Sequence, residues 1–386
     1  MPVVHGHQPV TVHLAAVVGA ARCASCSRAP GPGGFANGAL GHDRGERMMR
    51  KYLCRAASLI TVVAACLGPW APATASARGM AHATTACFTV TATIPLPAAP
   101  NAVAVNPQTS TLYVTSYDAG TVTVVDEQTN TVTATIPVGA GPDAIAVNPS
   151  TNTIYEASYL RGTVSVINGR TSTVTAAIPV GAGPDAIAVN PSTNTIYVDA
   201  RLDDSVSVIN GRTNAVFKTV RLARNSRPEG LATDSKTNTI YATNFGTNTV
   251  SVIDGRTNAV TATIPVASSP LGAAVNPAAN TLYVTNYDNR TVSVIDERTN
   301  AVTATIRVGR SPQGITVGPR SKDIYVANYV DSTVSVIRGR TNTVFKTIRL
   351  PGKSFPEGLA TDSETNTIYA ADNGSDTLSA IAVCPG

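Results

Sequence analysis

The sequence predicts an all-β protein, a seven-bladed β-propeller with four antiparallel strands per blade, and three observations carry that prediction. An Ile/Leu-Tyr step recurs at Tyr113, Tyr155, Tyr197, Tyr241, Tyr283, Tyr325 and Tyr369, at spacings of 42, 42, 44, 42, 42 and 44 residues. Each unit holds four short β-branched and apolar runs, separated by turns rich in Asn, Asp, Pro and Gly. A strand-like segment at the front of the repeat region also matches the strand that its end lacks. Four strands in a unit of about 40–45 residues is the pattern of a propeller blade. A solenoid would need atypical capping units at both ends, and the repeats show none.

The fifth unit serves to place the elements. Its strands are expected over 272–275, 281–285, 291–295 and 301–308, with "NPAAN" and "DERTN" as tight turns. The first strand of a unit, as in Ala144-Ile145-Ala146-Val147, is small in volume, as the crowded axis of a ring requires. The third strand, Thr-Val-Ser-Val-Ile in most units, is uncharged because blades pack face to face and bury both sides of each sheet. Composition agrees: 43% of residues are hydrophobic, only 14% are charged, and Val and Thr favour strands over helices.

The last unit stops after its third strand, "LSAIAV". Val90-Thr91-Ala92-Thr93-Ile94-Pro95 repeats the fourth-strand sequence Val132-Thr133-Ala134-Thr135-Ile136-Pro137. The N-terminal strand is therefore expected to complete the last blade. Aligned to the fifth unit, Cys384 falls on Arg298 and Cys87 on Thr299, neighbouring positions in one turn. A Cys87–Cys384 disulfide is expected there in place of a peptide bond. Closing a loop of about 300 residues stabilises by roughly 4–5 kcal/mol in the chain-entropy model, less any strain.

Tyr283-Val284-Thr285-Asn286, followed by Thr291-Val292-Ser293-Val294-Ile295-Asp296, carries a resemblance. Over residues 87–386 the chain resembles the YVTN-family β-propeller repeat proteins, often exported or surface-layer-like proteins of bacteria and archaea. The resemblance implies a seven-bladed propeller, generally without an assigned reaction. Tyr241-Ala242-Thr243-Asn244 and Tyr369-Ala370-Ala371-Asp372 depart from the literal motif.

The front of the chain reads as an address. From Met48 there is a basic start (Arg50, Lys51, Arg55), an apolar run over 56–68 and the small-residue site Ala75-Ser76-Ala77. Residues 48–77 are read as a signal peptide, 78–86 as a short linker and 1–47 as a mis-annotated upstream extension. The apolar run falls short of the about 20 residues of a spanning helix, so no transmembrane span is expected in the mature form. Val63-Ala64-Ala65-Cys66 resembles a lipobox, which makes Cys66 an alternative lipid anchor. Cys23-Ala24-Ser25-Cys26 is an isolated pair and no metal site follows from it. The expected location is secreted or cell-surface, the expected state a monomer. Residues 1–77 hold seven basic and two acidic side chains, which leaves 22 of each in 78–386. A neutral body gives no global drive toward nucleic acid, so a protein or cell-envelope polymer is the expected partner.

All five histidines, His5, His7, His13, His42 and His82, precede the propeller. Histidine-based acid–base, nucleophilic and metal chemistry is thereby excluded from the ring, and no catalytic residue is assigned. Carboxylates remain. The residue after the inter-blade proline is Asn101, Asp143, Asp185, Glu229, Leu271, Gln313 and Glu357. These acids read either as solvated loop residues or as oxygen ligands for a divalent cation, the one cofactor the sequence leaves open. The third unit breaks its repeat with Asp199, Arg201, Asp203 and Asp204, and the second carries Glu156 where most have Val. A ligand or cation face and a drifted surface loop account for them equally well. The row Tyr117, Tyr159, Phe245, Tyr287 and Tyr329 reads as packing against inter-blade loops, with ring stacking as the alternative. Arg170, Arg212, Arg256, Arg298 and Arg340 form a rim balanced by Asp254 and Asp296. Arg224, Arg227, Arg310 and Lys353, with Arg221, Arg307 and Arg349, form a candidate basic patch. Together these features predict an exported binding or interaction module. The alternatives are a carboxylate- and metal-dependent enzyme of the lactonase or lyase kind, and an anionic-polymer binder.

Overall fold

The computed structural model describes residues 87–383. The upstream extension, signal peptide, lipobox, linker and Cys384 lie outside the described residues. Twenty-eight strands form seven four-stranded antiparallel sheets. Six blades are built from consecutive strands, and the seventh has the order Thr89–Pro95, Thr377–Ala382, Thr367–Asp372, Pro356–Thr361. The innermost strands touch in sequence around the ring, and Val103–Asn106 of blade one meets Pro356–Thr361 of blade seven. The propeller ring is closed as the repeats predict. Among the described residues no helix is long and apolar enough to cross a membrane.

Strand bounds agree with the sequence reading to within two residues. In blade five they are Pro270–Asn276, Thr281–Asn286, Thr291–Asp296 and Ala301–Arg307. The third strand runs on to Asp296 because that side chain closes the turn itself. Its Oδ1 accepts the backbone N–H groups of Arg298 and Thr299, both at 3.0 Å. Such turns end in a left-handed residue, and Asn130, Asn214, Asn258, Asn300 and Asn342 hold that place with φ of 52–55°. Asn tolerates this conformation better than most residues. In blade seven the place belongs to Phe88, φ 55°. Its N–H donates to the Ala382 carbonyl at 2.9 Å, and Thr89 pairs with Ala382. Cys87 and Phe88 thus have the geometry of the second half of a hairpin turn.

The core lies between blades. Tyr155, Val164, Val166 and Ile178 of blade two pack with Ile187, Ile196, Val198 and Ile209 of blade three, and equivalent clusters recur around the ring. Six of the seven repeated tyrosines, all but Tyr369, are the largest fully buried side chains. Each outer strand carries a bulge. In blade one Val124 pairs with Ala134 and Val125 with Val132, which leaves Thr133 between them. Thr133 Oγ1 donates to the Val124 carbonyl at 3.3 Å, and Thr91, Thr175, Thr261 and Thr303 do the same in their blades.

Candidate functional site

Two residues after the buried tyrosine, several blades place a threonine that rivets one blade to the next. Thr115 Oγ1 accepts the Ala102 N–H at 3.0 Å and donates to the Asp143 carbonyl of blade two at 3.2 Å. Thr285 Oγ1 accepts from Gly272 N and donates to the Gln313 carbonyl of blade six, each at 2.8 Å. Thr243 Oγ1 donates to the Leu271 carbonyl at 2.6 Å.

Blade three puts Asp199 in this place. Its Oδ1 accepts the N–H groups of Asp185 and Ala186, each at 2.7 Å. An ionised carboxylate has no proton to pass on to blade four, and Oδ2 is buried without a hydrogen-bond partner. Burial, then the negative charges of Asp185 and Glu229, push the Asp199 carboxyl well above the usual carboxylate range. Arg201 stands where other blades have the aromatic. It is buried between the seams, with Nη2 at 2.7 Å from Glu229 Oε1 and Nη1 at 3.6 Å from Asp185 Oδ2. Its guanidinium carbon sits 6.0 Å from the centre of the Phe245 ring. Asp185 and Glu229 therefore meet one guanidinium across the seam of blades three and four, and Asp199 lies near both acids. Sequence reasoning singled out each acid but missed that Arg201 joins two of them. The available signal was an arginine in an aromatic position, in the same blade whose rivet threonine becomes aspartate.

The other candidate acids are not gathered there. Asp143 is buried in blade two and Glu357 half-buried in blade seven, each at the start of its own inner strand. Asp203 Oδ2 accepts the Ala182 N–H at 2.7 Å, as Asn289 Oδ1 accepts Ser268 N–H at 2.6 Å in blade five. Asp204 Oδ2 accepts Asn225 N–H at 2.7 Å and its Oδ1 accepts Arg227 N–H at 2.9 Å. Both aspartates thus tie down inter-blade loops. Glu156 lies inside the sheet of blade two, fully buried, and Ser158 Oγ donates to both its oxygens at 2.8 and 3.0 Å. Burial pushes its carboxyl up to about 7. Among the described residues no three or more His, Cys, Asp or Glu are grouped so as to hold a metal ion.

The basic candidates are spread over three seams. Arg224 is exposed on the loop between blades three and four, where Arg227 also lies, its guanidinium 5.8 Å from the Phe245 ring centre. Arg310 is ion-paired to Asp331 on the loop between blades five and six. Lys353 is exposed between blades six and seven. Of the aromatic row, Tyr329 packs on Phe355 of the next inter-blade loop, ring centres 5.3 Å apart.

Two seams hold acids that the sequence reading passed over. Glu127 of blade one accepts from Tyr369 Oη at 2.8 Å and Thr365 Oγ1 at 2.7 Å of blade seven, beside Asp362. Glu297 of blade five lies against Tyr241 and Asp234 of blade four. Burial, reinforced by the neighbouring aspartate, pushes each glutamate up to about 7. Asp372, buried in blade seven and accepting from Ser379 Oγ at 2.5 Å, is likewise raised to about 7 by burial.

No protein-family model matches the sequence, and no curated protein matches it either. Among solved structures the chain is similar to one titled Kuenenia stuttgartiensis Hydrazine Synthase, at 18% identity and a TM-score of 0.66, over 80% of this chain and all of that one. At that identity the likeness shows the fold alone.

Proposed function

We propose that this chain is an exported, disulfide-closed β-propeller of the YVTN-repeat kind that works as a binding module at the cell exterior. The observation that carries the reading is the use made of the clustered charges. Asp185, Arg201 and Glu229 hold two blades together, Asp199 ties down the entry to its own inner strand, and Asp203 and Asp204 anchor loops. The departures from the repeat that reach solvent include apolar side chains. Leu160 and Leu202, on neighbouring blades, are each 62% exposed. A rigid ring with variable exposed loops suits recognition. The register of Thr89 with Ala382 and the Phe88 N–H bond to the Ala382 carbonyl support the pairing of Cys87 with Cys384.

The test is co-sedimentation of the full chain, in its secreted form, with an isolated envelope fraction of the producing organism. Saturable sedimentation is expected, and a chain that stays in the supernatant overturns the reading. Mass spectrometry of the same preparation checks export. A start at Arg78 is expected, a lipid on Cys66 would make the chain surface-anchored, and an uncleaved leader would sink the export claim.

The buried pair Asp199 and Glu229 keeps an enzyme of the lactonase or lyase kind as the second reading. That reading predicts chelator-sensitive turnover of a lactone that disappears in Asp199→Thr.

A further inference from the structure

The five bulge threonines have two exceptions. In blades three and six the bulge residue is Phe217 and Phe345, within the near-identical outer strands Ala215–Arg221 (AVFKTVR) and Thr343–Arg349 (TVFKTIR). Phenylalanine cannot make the hydrogen bond that threonine makes elsewhere. The ring projects to solvent instead, 55% exposed at Phe217 and 37% at Phe345. Fold maintenance favours threonine at this place, so the exchange in two of seven blades calls for another reason.

Charge follows the same two blades. Residues 205–228 carry Arg212, Lys218, Arg221, Arg224 and Arg227 and no carboxylate. Residues 332–356 carry Arg338, Arg340, Lys346, Arg349 and Lys353 and again none. These two stretches hold ten of the 21 Lys and Arg in residues 87–386, whereas the matching stretch of blade one holds no cation at all. All ten are exposed. None of the ion pairs found among the described residues includes Lys218, Arg221, Lys346 or Arg349. Asp323 offsets Arg338 and Arg340 at the foot of blade six. Arg338 lies over the Phe345 ring at 4.2 Å, and Phe88 meets that ring edge-on at 5.6 Å. A cavity of about 330 Å³ runs beside it, lined in part by Phe88, Lys346, Arg349 and Pro351.

We infer that the outer edges of blades three and six are two related binding sites for a linear acidic polysaccharide. The cations meet its carboxylates or phosphates and the phenylalanine ring covers the apolar face of a sugar. The inference rests on the binding-module reading and names its partner class. The outer strand, rising about 3.3 Å per residue, sets Lys218 and Arg221 about 10 Å apart on alternate faces of the exposed edge, beside Phe217 at the bulge, so a linear polymer that follows the edge meets all three. The sites stand three blades apart one way and four the other, so a long polymer bridges them or two chains are cross-linked, and avidity follows. The body being neutral, binding is local to these edges and falls with salt through counterion release.

The test measures binding of fluorescein-labelled polygalacturonate to the full chain by polarisation, at low and high salt. Lys218→Ala with Arg221→Ala, and separately Lys346→Ala with Arg349→Ala, are each expected to weaken binding about fivefold or more. The quadruple variant should lose it, with a flatter salt slope in each intermediate. Phe217→Thr and Phe345→Thr restore the residue of the other blades, so they should weaken binding without lowering the melting temperature. Arg256→Ala, on the turn of blade four, should change nothing. Quadruple-variant binding equal to the parent, or an equal loss in Arg256→Ala, overturns the two sites. Tighter binding to duplex DNA than to polygalacturonate overturns the polysaccharide assignment. A parent that ignores polygalacturonate yet sediments with the envelope overturns this inference and leaves the module reading standing, and one that does neither overturns both.

Discussion

The seam between blades five and six and the seam between blades three and four solve one packing problem with different chemistry. At the first, Thr285 accepts one hydrogen bond from its own blade and donates one to the next, and no charge is buried. At the second, Asp199 accepts twice from its own blade, and Arg201 crosses to Glu229 instead. The neutral rivet makes one net hydrogen bond across the seam, worth about 1 kcal/mol. The charged one must desolvate an arginine and three acids before it gains anything. Since the neutral rivet suffices elsewhere, the charged seam holds no advantage in the mean strength of the joint. What differs is the penalty for removing a single member.

Arg201→Ala should have the largest effect, because it leaves Asp185 and Glu229 buried without their counter-charge. A loss of about 3–5 kcal/mol is expected, seen as a clear fall in melting temperature. The comparison is sharpened by rebuilding the seam on its siblings. Arg201→Tyr together with Asp185→Asn and Glu229→Gln gives the seam the residue types found at Tyr287, Asn101 and Gln313, and should recover most of that loss. If Arg201→Ala melts with the parent, the charged seam is a surface feature and the contrast with Thr285 fails.

Next in size is pH. Glu127, Glu156, Glu297 and Asp372 are raised to about 7 in the fold, above their ordinary values near 4. The folded chain therefore holds protons that the unfolded chain has released. Their stabilisation is full below about pH 4 and is lost as pH rises through about 7, on the order of 1–3 kcal/mol for each group. Turn residues Asp126 and Asp296, lowered chiefly by the backbone N–H groups they accept, act in the opposite direction but below pH 4. Between pH 5 and pH 8 the melting temperature should fall. Glu156→Gln, which keeps the shape without the charge, should flatten that slope, and an unchanged slope would show that Glu156 is not the source of the proton uptake.

Ring, blade count and closing strand were legible because they depend on residues that repeat at a fixed period. Tyr113 and its six equivalents announce the blades, and "TVTATIP" at Thr89 announces the closure. The candidate site was only half legible. Asp185, Arg201 and Glu229 come from two blades and meet through the handedness and pitch of the ring, which no single repeat encodes. Glu127 and Tyr369 are 242 residues apart and touch only because blade seven closes on blade one. Their signal was visible nonetheless: "DEQ" and "DER" replace the "NGR", "DGR" or "RGR" of other turns at Glu127 and Glu297. A glutamate in place of a turn glycine has to find room, and the neighbouring blade provides it.

The smallest expected effect isolates the rivet from the charges around it. Asp199→Thr gives blade three the side chain of Thr115, Thr243 and Thr285 and leaves Arg201 with Asp185 and Glu229. At pH 8 it should stabilise by about 1 kcal/mol, since a hydroxyl that both accepts and donates replaces a buried carboxylate with one unpartnered oxygen. Near pH 5 the advantage should shrink, because a protonated Asp199 can donate across the seam as threonine does. The difference between the two pH values, read from denaturant midpoints at constant slope, is the informative quantity. A gain that is equal at both would mean that the carboxyl keeps one charge state between them, and protonation of Asp199 would then play no part in the contrast between the two seams.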